Sequence, residues 1–81
     1  MSKEYYRKRI IDLRASMERE REAKKRDNER YAGLVRSASS PSSKASYRKQ
    51  KIDAAARHDS AIESLKRQIE SARESLKREK S

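Results

Sequence analysis

The segment IESLKRQIESARESL, residues 62–76, repeats apolar side chains at alternating spacings of three and four residues. The repeating positions are Ile62, Leu65, Ile69, Ala72 and Leu76. This spacing aligns them along one stripe of an α-helix, where a second helix can pack against them. The segment therefore predicts a helix that buries one face against another helix.

A second apolar stripe lies near the start of the chain. Ile10, Leu13 and Met17 follow the same spacing, and Tyr6 extends the stripe by one turn. Between the two stripes, residues 37–43 read SASSPSS, a polar segment typical of a turn. Such a turn folds the second helix back along the first. We therefore predict an all-α fold, a single two-helix antiparallel coiled-coil hairpin with a Ser-rich turn, over residues 1–81.

Capping residues set the expected helix boundaries at about 2–36 and about 43–79, with a turn at about 37–42. Ser2 suits the N-cap of the first helix, and Gly33 with the serines after it favours an end near residue 36. A Ser-Pro pair at 40–41 also fits the N-cap and first position of a helix, which leaves an earlier start near Pro41 open.

A turn centred near Ser40 would bring together residues whose numbers sum to about 81. Leu13 would then lie near Ile69, and Met17 near Leu65. The two ends of the first stripe are apolar, whereas three polar residues hold its middle positions. These are Glu20, Lys24 and Asp27. Glu20 and Lys24 would face Ala61 and the pair Arg57–His58, and Asp27 would face Ala54.

The composition limits the core that this chain can build. Only 32% of the 81 residues are hydrophobic and 44% are charged, with no Trp and no Phe. High charge with few aromatic residues is also typical of disorder, but the sustained helical spacing argues against it. Because a lone two-helix hairpin is marginal, we expect it to associate with itself, as a homo-oligomer, or with a larger protein.

The net charge of +10 predicts affinity for acidic partners, including nucleic acid. The candidate phosphate contacts are the residues of three basic runs: Arg7, Lys8, Arg9, Lys24, Lys25, Arg26, Arg48, Lys49 and Lys51. No helix-turn-helix, zinc-finger or RNA-recognition signature accompanies these runs. Acidic residues are interleaved with them, so a solvated helix surface explains the runs better than a nucleic-acid site.

The residues that carry catalysis or bind metals and cofactors do not form a pattern in this sequence. There is no Cys, and His58 is the only histidine, so a metal site is not expected. His58 could pair with Glu20 across the hairpin. Because histidine gains or loses its charge near neutral pH, such a pair would make the stability of the alignment of the two helices depend on pH. No Gly-rich phosphate loop or nucleophile elbow occurs. We expect no catalytic residues, no cofactor and no enzyme activity.

The sequence predicts no membrane span and no secretory signal, since it lacks a long apolar run and an apolar segment near its start. The default expectation is a cytoplasmic protein, with export by a signal-independent route left open.

Residues 36–50, RSASSPSSKASYRKQ, resemble the Ser/Thr-rich turn of coiled-coil hairpins at the N-terminus of some bacterial effector proteins. In those proteins a TIR-like or other effector domain often follows. The stretch Tyr31-Ala32-Gly33 is similar to the Trp-x-Gly turn of the small helical-hairpin partners of type VII secretion. The first resemblance implies a protein-interaction hairpin, and the second a targeting or chaperone-like partner.

These patterns together predict a basic, non-enzymatic protein-binding chain, either a coiled-coil interaction and oligomerisation module or a small adaptor subunit. Four apolar residues outside the stripes are candidates for the face that meets a partner: Tyr5, Ile11, Val35 and Ile52. Ile11 and Ile52 are the sharper candidates because they lie off the strict heptad. The alternatives are a sequence-nonspecific nucleic-acid-binding protein and a partner in a secretion system.

Overall fold

The computed structural model describes residues 2–79 and contains two α-helices and no β-strand in that range. Helix α1 spans Lys3–Ser37 and helix α2 spans Pro41–Arg78. The described chain measures 63 × 14 × 11 Å. A helix of the length of α2 extends about 57 Å, so these dimensions correspond to two helices lying side by side. The prediction of an all-helical chain with two helices is confirmed.

Serine side chains cap the N-termini of both helices. The Ser2 Oγ accepts a hydrogen bond from the backbone N–H of Tyr5 at 3.3 Å, and the Ser40 Oγ accepts one from the N–H of Ser43 at 3.1 Å. Pro41 follows the second cap, where its fixed φ and missing N–H suit the first turn. Helix α2 therefore begins at Pro41, the earlier of the two starts that the sequence left open, rather than at residue 43.

Helix α1 ends at Ser37, one residue beyond the predicted end, and Gly33 lies within it without a positive φ. Only Ala38, Ser39 and Ser40 separate the two helices, so the connection is shorter than the predicted 37–42. At the other end of α2, the backbone N–H of Glu79 donates to the carbonyl oxygens of Ser75 and Leu76. This cap ends α2 at Arg78.

The apolar core lies between the ends of the helices that are far from the connection. Ile10 and Leu13 of α1 form a buried cluster with Ile69 and Ala72 of α2. Three half-buried side chains pack against this cluster: Met17, Leu65 and Leu76. Early residues of α1 thus contact late residues of α2, in the sense expected for a chain that folds back on itself. Of the other stripe residues, Ile62 is buried and Tyr6 is half-buried.

Ala54 is the least exposed residue of the core, at 2%, although it falls outside the predicted stripe. It lies eight residues before the buried Ile62, and His58 lies midway between them. Four-residue steps keep all three on one side of a helix. The buried face of α2 therefore continues toward the connection, with a polar residue in the middle of it.

We expect substitution of Leu13 by Ala to lower the free energy of unfolding by about 2–4 kcal/mol, because it removes a buried side chain from a small cluster. The control is Glu22→Ala on the same helix, where the side chain is exposed, so a change within about 0.5 kcal/mol is expected. Urea denaturation followed by circular dichroism measures both. Equal losses in the two variants would contradict the assigned core.

Candidate functional site

A polar cluster occupies the middle of the contact between the helices. Glu20 and Asp27 lie seven residues apart on α1, and His58 of α2 lies between their side chains. The His58 Nδ1 is 2.6 Å from the Glu20 Oε1, and the His58 Nε2 is 2.6 Å from the Asp27 Oδ2. The His58 side chain is only 16% exposed. One imidazole therefore bridges two carboxylates of the opposite helix.

A second contact between the helices lies beside this bridge. The Nζ of Lys24, between Glu20 and Asp27 in the sequence, is 2.6 Å from the Oδ1 of Asp59. The Nη2 of Arg30 approaches Asp27 from within α1, at 3.9 Å from Oδ1. Opposite charges thus alternate through the cluster, and none of its members is fully buried.

The predicted facing pairs across the middle of the hairpin need correction at three residues. Glu20 contacts His58 rather than the Ala61 expected opposite it. Asp27 contacts His58, one turn beyond the Ala54 expected opposite it, and Lys24 contacts Asp59 rather than Arg57 or His58. Pairing by residue number assigns one opposite residue to each position. A ring with two nitrogens can bind carboxylates on both sides, and a lysine can reach the neighbouring position.

The geometry favours the protonated form of His58. Carboxylates only accept hydrogen bonds, so both ring nitrogens must donate, and only the imidazolium carries two N–H groups. The hydrogen bond to Asp27, followed by the one to Glu20, raises the pKa of His58 above its ordinary value of 6.5. The same bond with His58 holds the pKa of Asp27 below its ordinary value of 3.8.

The cluster can tie the helices together and take up a proton, but it does not form a metal centre. Glu20 and Asp27 approach opposite nitrogens of one ring, so these groups do not converge on a common point. Within residues 2–79 no group of three or more His, Asp or Glu side chains could hold a metal ion.

Three large apolar side chains are exposed among the described residues. Tyr5 is on the surface, and Ile11 and Ile52 are 65% and 68% exposed. The ring of Tyr5 packs edge-on against Tyr6, with ring centroids 5.1 Å apart. Val35, the fourth candidate for the partner face, is half-buried and does not belong with them. It lies close to the end of α1, where only three residues separate the helices and less surface is open.

The nine candidate phosphate contacts do not form one patch. Lys8, Lys24 and Lys49 are in ion pairs with Asp12, Asp59 and Asp53. The other candidates form no ion pair within the described chain: Arg7, Arg9, Lys25, Arg26, Arg48 and Lys51. They are spread over several surfaces, because Arg7 and Arg9 line different grooves and Arg48 lines a third with Lys51.

Two of these grooves contain the exposed isoleucines. The first, which we call the Ile11 groove, is formed by both helices and is lined by Arg7, Ile10, Ile11, Arg14, Arg73 and Leu76. The second, the Ile52 groove, is lined by Asn28, Arg48, Lys51, Ile52 and Ala55. Sequence reasoning found both isoleucines, because they are apolar residues off the stripe. It missed Arg14 and Arg73, which stand alone in the sequence rather than in basic runs.

Comparisons with models of protein families, with curated proteins and with solved structures gave no match to this chain. Within the part of the chain that the structure describes, neither helix has a stretch long and apolar enough to cross a membrane.

The contribution of His58 to stability should depend on pH. A raised pKa means that this contribution is complete below about pH 6.5 and disappears as the pH rises through the folded-state pKa. The lowered pKa of Asp27 works in the opposite direction: its contribution is complete above about pH 3.8 and disappears on acidification through the lower folded-state value. We therefore expect the free energy of unfolding to be larger near pH 5.5 than near pH 9.

Urea denaturation at the two pH values measures this difference. His58→Gln is the matched control, since His58 is the only histidine and glutamine cannot take up the proton. The variant should lose most of the decline between about pH 6 and pH 9. An unchanged decline in His58→Gln would show that the imidazolium bridge does not contribute to stability.

Proposed function

We propose that this chain is a non-enzymatic coiled-coil interaction module, an antiparallel hairpin that binds a further helix from another copy or from a larger protein. The observation that carries the proposal is the Ile11 groove. Ile11 is 65% exposed, yet it lies beside the core residue Ile10 in a groove to which both helices contribute. A groove between two helices with apolar side chains at its base is a surface on which a third helix can pack.

The antiparallel hairpin is supported by the contacts across the helix pair. Ile10 and Leu13 cluster with Ile69 and Ala72, and further along α1 the Lys24 side chain reaches Asp59. The residue numbers on α2 therefore decrease as those on α1 increase toward the serine-containing connection, as in an antiparallel pair. The heptad spacing of the stripes supports packing of the coiled-coil type.

The small core supports a function in association. The buried residues of the described chain are few, and two of the six are alanines, which bury little area: Ile10, Leu13, Ala54, Ile62, Ile69 and Ala72. Chains of this size with so little buried apolar surface gain stability by oligomerisation or by docking on a partner. Covering the Ile11 groove adds apolar burial where the hairpin already has its core.

The polar cluster supports a role in specificity. A polar residue at a heptad core position fixes register and partner choice in coiled coils. Glu20 and Asp27 are both satisfied by one histidine in the observed pairing, and a shift of α2 along α1 by a heptad would separate His58 from one or both. The cluster therefore selects one alignment of the helices, and with it one shape of the outer grooves.

The Ile11 groove is tested by sedimentation equilibrium at about 0.5 M NaCl, where repulsion between basic chains is screened. We expect wild-type hairpins to associate and Ile11→Glu to remain monomeric with its helicity retained, because the new carboxylate interrupts the apolar surface. The matched control is Ser71→Glu, which adds the same charge at an exposed position outside the groove. It should associate like the wild type. Association of Ile11→Glu at the wild-type level would show that this groove is not the interface.

A second candidate function, sequence-nonspecific binding of nucleic acid, is supported by the net charge of +10 and by the arginines that form no ion pair within residues 2–79, among them Arg7, Arg14 and Arg73. Such binding rests on the release of counterions, so the affinity for a duplex of about 20 base pairs should fall steeply between 50 and 200 mM salt. Filter binding or fluorescence anisotropy measures the slope. No binding at low salt, or an affinity that salt does not change, would exclude this function.

A further inference from the structure

We propose that the helix bound by this hairpin is acidic: an amphipathic helix of another protein that carries carboxylates on both sides of its apolar stripe. This inference rests on the proposed function and names the chemistry of the partner. The binding surface is the side of the hairpin that carries the Ile11 groove and the Ile52 groove, which we call the arginine face.

The Ile11 groove is lined by both apolar and basic side chains. Ile11 and Leu76 lie in the groove, Arg7 and Arg14 line it from α1, and Arg73 lines it from α2. None of these three arginines forms an ion pair within residues 2–79, and no carboxylate lines the groove. Among the described residues, the arginines that line the groove from the two helices therefore have no carboxylate within ion-pair distance.

Helical periodicity places the Ile52 groove on the same side of the hairpin. Arg7, Arg14 and Asn28 differ by multiples of seven residues, so they follow one line along α1. Ile52 and Arg73 are twenty-one residues apart and follow one line along α2 in the same way. The two isoleucine-containing grooves thus lie along one face, about 30 Å apart at 1.5 Å per residue.

The shape and spacing of the arginine face fit a helix. Arg7 and Arg14 are one heptad apart, which is about 10.5 Å along α1. On a partner helix that lies along α1, side chains seven residues apart have the same spacing, so two acidic residues at that interval would each meet one arginine. A partner of about 20–28 residues would span both grooves. Its apolar stripe would cover Ile11 and Ile52, and the residues flanking that stripe would meet the arginines.

The charge of the face selects an acidic partner over a second copy. Two hairpins packed through this face would bring Arg7, Arg14 and Arg73 toward the same residues of the other copy, and each chain carries a net charge of +10. Like charges placed across an interface disfavour it strongly at low salt. Glutamate and aspartate beside the partner's apolar stripe would give the guanidinium groups bidentate acceptors instead.

The exposed isoleucines of this face argue for a protein rather than a nucleic acid. Phosphates would pair with Arg7, Arg14 and Arg73 but would leave Ile11 and Ile52 uncovered. An amphipathic helix satisfies the arginines and covers the isoleucines in one interface.

Two synthetic 28-residue peptides test the proposal against the full chain. Both carry Leu at heptad positions a and d, and one carries Glu at positions e and g where the other carries Lys. Fluorescence anisotropy at about 50 mM NaCl measures the affinity of each labelled peptide. We expect the Glu peptide to bind roughly tenfold or more tightly than the Lys peptide. Equal affinity for the two peptides, or no binding of the Glu peptide, would overturn the proposal.

Charge reversal on the arginine face tests where the peptide binds. In the triple variant Arg7→Glu, Arg14→Glu, Arg73→Glu we expect the preference to invert, so that the Lys peptide binds more tightly. Because the three positions are exposed, circular dichroism should show retained helix. If this variant does not fold, the milder Arg7→Gln, Arg14→Gln variant should weaken the Glu peptide severalfold without inversion. Unchanged preference in the folded variant would overturn the proposal.

The matched control reverses three other exposed arginines that form no ion pair and lie outside the arginine face, in the variant Arg9→Glu, Arg26→Glu, Arg67→Glu. The net charge changes equally, so a general attraction between basic hairpin and acidic peptide predicts the same loss in both triple variants. The proposal predicts that this control keeps its preference for the Glu peptide. Equal loss in the two triple variants would overturn it.

The remaining outcomes separate this inference from the proposed function. If the wild-type chain ignores the Glu peptide but still associates at high salt through Ile11, the interaction module stands and the acidic partner is wrong. A competition experiment with an oligonucleotide of about 20 nucleotides gives the other outcome. If the oligonucleotide displaces the Glu peptide, and if the triple variant Arg7→Glu, Arg14→Glu, Arg73→Glu loses more affinity for the oligonucleotide than for the Glu peptide, the face binds phosphates and the proposal is overturned.

Discussion

The contact of Ile10 and Leu13 with Ile69 and Ala72 is the interaction on which the rest of this structure depends. It lies at the ends of the helices farthest from the connection. At the opposite end, only Ala38, Ser39 and Ser40 separate α1 from α2, so a short covalent connection joins the two helices there. A hairpin held at both ends keeps its middle aligned. The middle positions are therefore free to carry polar residues without separation of the helices.

The polar middle favours the alignment that the two ends of the hairpin already set. When one helix shifts by seven residues along the other, apolar side chains at heptad spacing meet other apolar side chains and pack almost as well. The hydrophobic effect is not directional, so it does not distinguish the two alignments strongly. The imidazolium of His58 does not tolerate such a shift, since each of its N–H groups needs its own carboxylate. Glu20 and Asp27 provide them at 2.6 Å from the two nitrogens. The protein thus gives up apolar burial at its centre and gains selection of one pairing.

The two helices can be predicted from local sequence signals, whereas the contacts of the polar cluster depend on how far the side chains of one helix extend toward the other. The apolar spacing of the second helix and the Ser-Pro pair at 40–41 predict two helices and a capped start, since both signals act within one or two turns. The Asp27–His58 contact could not be predicted by pairing residue numbers, because it depends on the length and direction of two side chains. Ala54 was expected opposite Asp27 but was not assigned to the apolar stripe, because His58 interrupts the spacing between Ala54 and Ile62.

The outer surface of the hairpin follows from the same arrangement. In the observed alignment of α1 and α2, Arg73 lies opposite Arg7 and Arg14 across the Ile11 groove. A different register would place another residue of α2 at that edge and would change both the charge and the shape of the groove. The charge and shape of the arginine face therefore depend on the same pairing of α1 with α2 in which His58 bridges Glu20 and Asp27. Loss of the His58 proton at alkaline pH weakens this bridge, while the Lys24–Asp59 ion pair and the apolar cluster still hold the two helices in that pairing.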